Sequence, residues 1–294
     1  MSAQIYACGD YCAPAADPAV ELKALVKQTT GEAVRRIGRF IQLAMIGAGR
    51  CAQAAPVPAD TAVYFASGRG DFETTVEVMA TLFRHGGAPK PLAFVNTVSN
   101  AACYYVARSL KLQSRSNFVC NRCLAFESVL QLALMDVQTG NASSALVGSV
   151  DAVTNPLQEH RRRLHLAADA PLAEGSHWLW LGPARSDRPR LGEVLAVEQF
   201  SERAALLAWI AARQLTAQQC AFSAGQFLDP LAAAALRNEG GLSQVFDYRA
   251  GRGYYDSQSG AVIAQFLGSD APCARLLHVN ADPAGCFSVM LVAR

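Results

Sequence analysis

The sequence predicts an α/β protein. In both halves of the 294-residue chain, short β-branched and aromatic runs alternate with longer segments that have helical periodicity. Hydrophobic residues make up 51% of the chain and charged residues 17%, so it can bury a large core as one domain or as two fused halves. The segment 124–137 is apolar on most faces of a helix and must therefore be buried.

The first hundred residues predict two strands and three helices. A strand is expected at 4–7, followed by a loop through Pro14. Helical spacing of apolar residues over 32–54 predicts a long amphipathic helix, and a strand follows at 61–67. Asp71 is placed to cap a helix at 72–83, and Ser99 or Asn100 to cap a helix that runs to about Leu112.

The segment from Asn117 to Val150 is the centre of the sequence. A β-type run ends at Cys120, a buried helix opens near Cys123 and stops at Gly140, and residues 142–150 predict a second buried strand. A cysteine in the first turn of a helix lies beside free backbone N–H groups and the positive end of the helix dipole. We therefore expect a lowered thiol pKa at Cys123, which makes it the candidate nucleophile.

The second half is less regular but repeats the alternation of strands and helices. We expect a closing antiparallel pair of strands at 275–279 and 287–292. Before it, strands are predicted at 178–181, 193–200 and 220–223, and helices at 202–214, 230–236 and 261–267.

Three short motifs have alternative readings. Gly47 to Ala52 matches a dinucleotide fingerprint, but that motif requires a strand before the first glycine, and here the preceding residues have helical periodicity. Cys120 and Cys123 have the spacing of a redox motif, yet Cys120 is predicted to end a buried strand. The pair Cys8 and Cys12 has no second pair of ligands nearby, which argues against zinc.

Composition excludes several classes of function. A net charge of +2 argues against general nucleic-acid binding, which usually needs a basic face. The one basic cluster, Arg161, Arg162 and Arg163 between two histidines, indicates a solvated surface turn or a docking site for an acidic partner. Nine irregularly spaced cysteines, no N-terminal signal and no apolar run of membrane-spanning length predict a soluble cytoplasmic protein with free thiols and no metal or cofactor.

The order of several motifs resembles the N-terminal half of β-ketoacyl synthases. A weaker similarity continues through the pair Glu174-Gly175 and the last strand, 287–293. The first-half motifs are Arg39-Phe-Ile-Gln-Leu, Gly70-Asp71, Phe94-x-Asn96-Thr97-Val98-x-Asn100, the helix opening at Cys123, and Gly148-x-Val-Asp-Ala. The resemblance implies a thiolase-like, five-layered αβαβα fold with two pseudo-duplicated halves, at 1–166 and, shortened, at 167–294.

In that family a cysteine accepts the acyl chain, two histidines assist decarboxylation of the extender, and two backbone N–H groups stabilise the oxyanion. Cys123 resembles the nucleophile. Ala224 and Tyr254 stand where the histidines are expected, and Arg249 stands for an upstream lysine. Pro283, which has no N–H, falls at an oxyanion-donor position. Leu124 and Phe126 follow the cysteine where the family has small residues, so they would contact and crowd an acyl chain.

The resemblance implies a degenerate subunit similar to chain length factors. Such a subunit is unable to condense alone and pairs with a catalytic synthase that an acyl carrier protein visits, with Phe94, Asn96 and Asn100 near the partner. The alternative is an acyltransferase that uses Cys123, with Tyr254 or His278 as its base. Two further readings stay open: Cys123 is a buried remnant of an active ancestor, or the old acyl pocket binds a small apolar ligand.

Overall fold

The structure is a computed structural model that describes residues 2–15, 21–98 and 100–294. Its strands are β1 (Ala3–Pro14), β2 (Ala62–Ser67), β3 (Ser116–Cys120), β4 (Ala145–Asp151), β5 (Ala173–Gly182), β6 (Gly192–Phe200), β7 (Cys220–Ala224), β8 (Arg275–Ala281) and β9 (Phe287–Ala293). Its α-helices are α1 (Leu22–Thr30), α2 (Arg39–Ala54), α3 (Phe72–Phe83), α4 (Pro91–Asn96), α5 (Ala101–Ser109), α6 (Ala125–Gln138), α7 (Leu157–Arg163), α8 (Arg203–Ala212), α9 (Pro230–Glu239) and α10 (Ala261–Leu267).

The described strands form one mixed sheet in the order β3-β2-β4-β5-β1-β6-β9-β8-β7. Strand β2 is parallel to β3 and β4, and β7 is parallel to β8, while the other neighbours are antiparallel. In the middle of the sheet, β1 and β6 pair only over a short stretch, between Ala3–Ile5 and residues 192–194. A short junction of this kind divides the sheet into β3-β2-β4-β5-β1 and β6-β9-β8-β7.

Three buried clusters stack the helices into five layers. Alternate residues of each strand face opposite sides, so Val63 and Phe65 of β2 belong to the cluster that includes α2 and α5, while Tyr64 and Ala66 face α6. On the second half, α8 and α9 cover the outer side of β6 to β9. Helices α6 and α10 lie in the middle and pack against strands of both halves. The order of layers is therefore αβαβα.

The second half repeats the strand order of the first. Strands β7, β8, β9 and β6 occupy the places of β2, β4, β5 and β1. The place of β3 is taken by a single parallel bridge between Phe222 and Val245. The predicted thiolase-like architecture with two pseudo-duplicated halves is therefore confirmed, and the second half is the one with fewer strands.

Most predicted elements are present with shifted ends. Helix α3 and its cap are as predicted, since Asp71 accepts a hydrogen bond from the Thr74 amide at 3.2 Å. The first strand was predicted too short, because β1 continues through Pro14 as a partner of β5. The helix predicted at 32–54 begins only at Arg39, and α1, α4 and α7 were not predicted. Asn100 precedes α5 without a side-chain cap, and Ser99 lies outside the described residues.

The dinucleotide reading of Gly47 does not fit the structure, and the expected burial of Cys120 is wrong. Gly47 lies inside α2, where it packs closely on Ser176 and Trp178, so no strand precedes it as a dinucleotide site requires. Cys120 was predicted to end a buried strand, but it ends the edge strand β3 and is exposed. Within the described residues, no helix combines the length and apolarity that crossing a bilayer requires.

The boundary proposed at 166/167 stays a prediction. By strand pairing, β5 belongs with the first half, because its neighbours are β1 and β4. The second set of strands begins with β6 at Gly192.

The close approach of β4 to Trp178 gives a stability prediction. A Cβ on Gly148 would lie 2.3 Å from the Trp178 ring, whereas one on Gly182 would meet its nearest atom at 3.3 Å. We expect Gly148→Ala to destabilise the fold by about 1–3 kcal/mol through overpacking. Gly182→Ala, on the neighbouring strand, is the matched control and should cost clearly less. Urea unfolding measures both, and equal free energies of unfolding for the two variants would contradict this packing.

Candidate functional site

A cavity of about 860 Å³ opens where the two halves meet. It brings together residues from five separate segments that the sequence singled out, namely Cys123, Ala224, Arg249, Tyr254 and Pro283. Such a volume is in the range of small-molecule sites. The predicted site residues therefore share one cavity, although their roles stay predictions.

Cys123 lies one residue before the cap of α6, in the turn that follows β3. Leu124 occupies the N-cap position, and Asn280 of β8 donates a hydrogen bond to the Cys123 carbonyl at 3.1 Å. The thiol is half-buried, and no hydrogen bond from the described residues supports its sulfur. Its position in the cavity wall is thus fixed through the backbone.

The predicted lowering of the Cys123 thiol pKa is wrong. Burial raises the pKa, and the nearby carboxylates of Asp282 and Asp256 raise it further because they disfavour a thiolate. The helix dipole was expected to act in the first turn, but Cys123 lies outside that turn. At neutral pH the group is a thiol.

The two positions expected to carry histidines carry no base. Ala224 ends β7, and Tyr254 is held in the cavity wall by backbone hydrogen bonds to Pro171 and from Ala173. The phenol of Tyr254 makes no hydrogen bond to the described residues. His165 also lines the cavity, but it is exposed in the loop after α7.

His278 does not reach the cavity, so the structure gives no support to its predicted role as a base. Its side chain is fully buried on β8, where Nε2 lies 3.7 Å from Glu127 Oε1 and the ring meets Tyr248 edge-on. Glu127 is also fully buried and accepts a hydrogen bond from Asn280 Nδ2 at 2.9 Å. None of His278, Tyr248 and Glu127 lines the cavity, so this polar cluster does not reach Cys123 through it.

The turn from Asp282 to Cys286 uses its own backbone donors. Asp282 Oδ1 accepts from the amides of Ala284 and Cys286 at 3.0 and 2.9 Å. The Gly285 amide donates to the Asp282 carbonyl and the Asp282 amide to the Cys286 carbonyl, each at 3.0 Å. Pro283, the residue of this turn that lines the cavity, has no N–H. No amide of this turn is left to stabilise an oxyanion.

Two predicted substrate contacts lie outside the cavity wall. Leu124 and Phe126 are buried, and Phe126 packs near Gly260 in the core between the two halves of the sheet. They do not crowd the cavity, because α6 turns their side chains into the core. Arg249 does line the cavity, where its guanidinium lies 3.8 Å from Asp247.

The three adjacent arginines belong to a helix and have different surroundings. The predicted surface turn is α7, in which Arg162 pairs with Glu159 on the surface and Arg161 donates to the Ala170 carbonyl. Arg163 lines the cavity and donates to Asp256 Oδ2 at 2.8 Å. This split could not be predicted from the three adjacent arginines, because helical phase decides which arginine turns inward.

Two aspartates beside Arg163 were not predicted as site residues. Asp256 lines the cavity, and it also lies 3.6 Å from the Arg69 guanidinium. Asp151, at the end of β4, is fully buried and accepts hydrogen bonds from Ser67 Oγ at 2.7 Å, the Gly68 amide and the Ser257 amide at 2.8 Å. Burial and Asp256 raise its pKa to about 7. Asp151 therefore ties a turn of the first half to the segment before α10.

The predicted partner contacts lie on and beside α4. Phe94 and Asn100 are exposed, but Asn96 is buried and is not available to a partner in this conformation. The apolar side chains around Phe94 on α3 to α5 are also exposed and were not predicted as a group.

At the level of sequence, neither a protein-family model nor a curated protein matches the chain. Solved structures do match. The ishigamide ketosynthase/chain length factor superposes with a TM-score of 0.79 at 14% identity, covering 99% of this chain and 98% of that one. A type II polyketide synthase acyl carrier protein in complex with its ketosynthase bound to the hexaketide gives a TM-score of 0.73 at 12% identity, with 99% of both chains covered.

A β-ketoacyl synthase from Burkholderia phymatum matches with a TM-score of 0.70 at 12% identity, again over 99% of both chains. The identities are low, but the likeness extends over almost the whole chain. The chain therefore has the fold of β-ketoacyl synthases and chain length factors.

Proposed function

We propose that this chain is a non-condensing, chain-length-factor-like subunit that pairs with a catalytic ketosynthase in fatty-acid or polyketide-type biosynthesis. The observation that carries the proposal is the turn at Pro283, whose amides are all satisfied within the turn beside the thiol of Cys123. The missing bases and the exposed apolar side chains also support the proposal. The pair works in the cytoplasm and receives acyl groups from an acyl carrier protein.

Decarboxylative condensation needs a thiolate, proton-handling groups and donors for an oxyanion. Here the Cys123 thiol pKa is raised, and Ala224 and Tyr254 supply no imidazole. The loss of one oxyanion donor typically costs about 10²- to 10³-fold in rate. In this chain the loss is compounded by the Asp282 carboxylate, because an acceptor stands where a donor is required.

The exposed apolar surface supports a partner. Helix α3 buries only Val78, although most of its side chains are apolar. We call the α3–α5 face the exposed apolar side chains Phe72, Val76, Met79, Leu82, Phe83, Leu92, Phe94, Val95, Val98 and Tyr104. Helix α4 contacts both α3 and α5, and exposed apolar side chains grouped on neighbouring elements indicate a protein interface.

The edge strand β3 follows the α3–α5 face in the chain. Its side away from β2 pairs with no described strand. The printed names of the similar structures include a ketosynthase/chain length factor and a ketosynthase with its carrier protein. A catalytic ketosynthase of the same fold is therefore the partner that we propose for this face, with β3 at its border.

The alternative is a Cys123-dependent acyltransferase. It is favoured by the position of Cys123 in the wall of a large cavity. Among the described residues it lacks a base, since His278 is buried elsewhere and the Tyr254 phenol makes no hydrogen bond to them that would position or activate it. This candidate therefore ranks second.

Substitution within the α3–α5 face should weaken pairing. Phe94 is 57% exposed on α4, and Leu231 is 82% exposed on α9, outside the face. We expect Phe94→Asp to weaken binding to the catalytic ketosynthase encoded beside this chain by about tenfold or more, because a carboxylate would be desolvated in the interface. Titration calorimetry measures the change, and Leu231→Asp is the matched control. If the chain is a monodisperse monomer that does not bind that ketosynthase, the proposal is refuted.

Acyl thioesters should leave Cys123 unmodified. After exposure to acyl carrier protein or coenzyme A thioesters, intact mass should show no stoichiometric adduct on this chain, because neither a thiolate nor an oxyanion site is formed. The catalytic ketosynthase serves as the positive control in the same assay. A stoichiometric adduct that Cys123→Ala abolishes would instead establish the acyltransferase.

The pH dependence of alkylation tests the raised pKa of the Cys123 thiol. A group whose pKa is raised has less thiolate at a given pH, so iodoacetamide should modify Cys123 at pH 8 more slowly than free cysteine, whose pKa is about 8.5. The rate should still increase above pH 9. Peptide mass spectrometry follows the modification, and the urea-unfolded chain provides the reference rate. A rate at pH 7 above that of free cysteine would contradict this assignment.

A further inference from the structure

The charges around the cavity do not balance. Three carboxylates line it, and two of them are engaged locally: Asp229 caps α9, and Asp247 accepts from the Arg249 amide and lies beside its guanidinium. The third, Asp256, pairs with Arg69 and Arg163, while Arg122 and Arg237 line the cavity without a salt bridge to a described carboxylate. The side chains that line the cavity therefore carry more positive than negative charge.

Arg69 is a largely buried arginine of the cavity wall with an unpaired donor. Its side chain is 16% exposed, its Nε lies 3.6 Å from Asp256 Oδ1, and this buried Nε makes no hydrogen bond to a described residue. Asp256 is already bonded to Arg163. Burial and the neighbouring Arg163 lower the Arg69 pKa, since two cations crowd one carboxylate. A second anion beside Arg69 would accept hydrogen bonds from its guanidinium and would offset the positive charge of the two arginines.

Arg69 is held in place despite its unused donors. It leaves the turn between β2 and α3, and its guanidinium lies 5.9 Å from the centre of the Phe72 ring. The flanking Gly68 packs against Asp256, where a Cβ would come within 2.2 Å. The planar guanidinium therefore faces the cavity from a fixed backbone, which suits recognition of a carboxylate.

The rest of the cavity wall is largely apolar. It includes Leu164, Phe222, Phe227, Leu228 and Phe246. These side chains would cover an alkyl or aryl body but provide no hydrogen bonds to it. A ligand that satisfies both parts of the wall has an apolar chain and one anionic head.

We propose that the cavity binds an amphiphilic carboxylate without covalent attachment, with its head on Arg69 and its chain against Phe222, Phe227 and Phe246. Cys123 is a neighbour of this ligand and forms no bond to it. The inference does not rest on pairing with a ketosynthase, because every residue that it uses belongs to this chain.

The test compares decanoate with 1-decanol, which has the same chain and no charge, by titration of the full chain below the micelle concentration. We expect decanoate to bind about tenfold tighter or more, as a charge-assisted hydrogen bond to Arg69 predicts. Arg69→Gln should remove that difference by weakening decanoate binding about tenfold while changing decanol binding less than about twofold. Decyl phosphate is a third ligand, and tighter binding of it than of decanoate would show that the site selects a phosphate head and overturn the carboxylate assignment.

Arg162→Gln is the matched control, because Arg162 is exposed on α7, pairs with Glu159 on the surface and does not line the cavity. It should leave decanoate binding unchanged within about twofold, and an effect as large as that of Arg69→Gln would refute the assignment to Arg69. Circular dichroism checks that both variants fold. If Arg69→Gln does not fold, the wild-type preference for decanoate over decanol still decides, and equal affinity or no binding of either would overturn the proposal.

Discussion

Helix α6 buries apolar side chains on both of its sides, against β2 and β4 of the first half and against β6 and β9 of the second. A helix that is apolar on most faces is stable only when other elements cover it all round. The two halves of the sheet provide that cover, with α10 in the corresponding place. Because α6 lies between the halves, the turn that precedes it opens where the halves meet. The cavity and Cys123 are consequences of this packing.

The polar residues at that junction hold the halves together more than they serve chemistry. Asp151 links the turn after β2 to the segment before α10, and Asn280 links β8 to the turn of Cys123 and to Glu127. Asp151 is the last residue of β4 and Asn280 the next to last of β8. Buried polar groups of this kind are costly unless they are paired, and both side chains are hydrogen-bonded within the fold. A hydrogen-bond donor or acceptor that holds a turn in place is not available to a reacting substrate.

The turn at Pro283 likewise uses its polar groups to hold its own structure. Its side-chain carboxylate accepts from two amides of its own loop, which stabilises the turn and directs negative charge towards Cys123. The shape of the turn and of the cavity depends on packing, whereas stabilisation of an oxyanion depends on a few free amide donors. For the ligand that we propose, the Arg69 cluster would favour a negatively charged head.

The sequence by itself determined much of the fold. Periodicity predicted β2, α3, α10 and the closing pair β8 and β9 almost to the residue, because each is a local pattern bounded by a turn or a cap. It failed where tertiary pairing overrode local signals: β1 remains extended through Gly9 and Cys12 because β5 pairs with it along its length. The order of motifs placed Cys123, Ala224, Tyr254 and Pro283 at positions that share one cavity.

Only the tertiary structure decided what surrounds those positions. The Cys123 pKa is raised first by burial and then by carboxylates that lie 133 and 159 residues further along the chain, at Asp256 and Asp282. Arg163 meets Asp256 across 93 residues, and which of three adjacent arginines does so follows from the phase of α7. Electrostatic effects act through space, so a pattern read along the chain can identify the residues of a site but not the charges that they face.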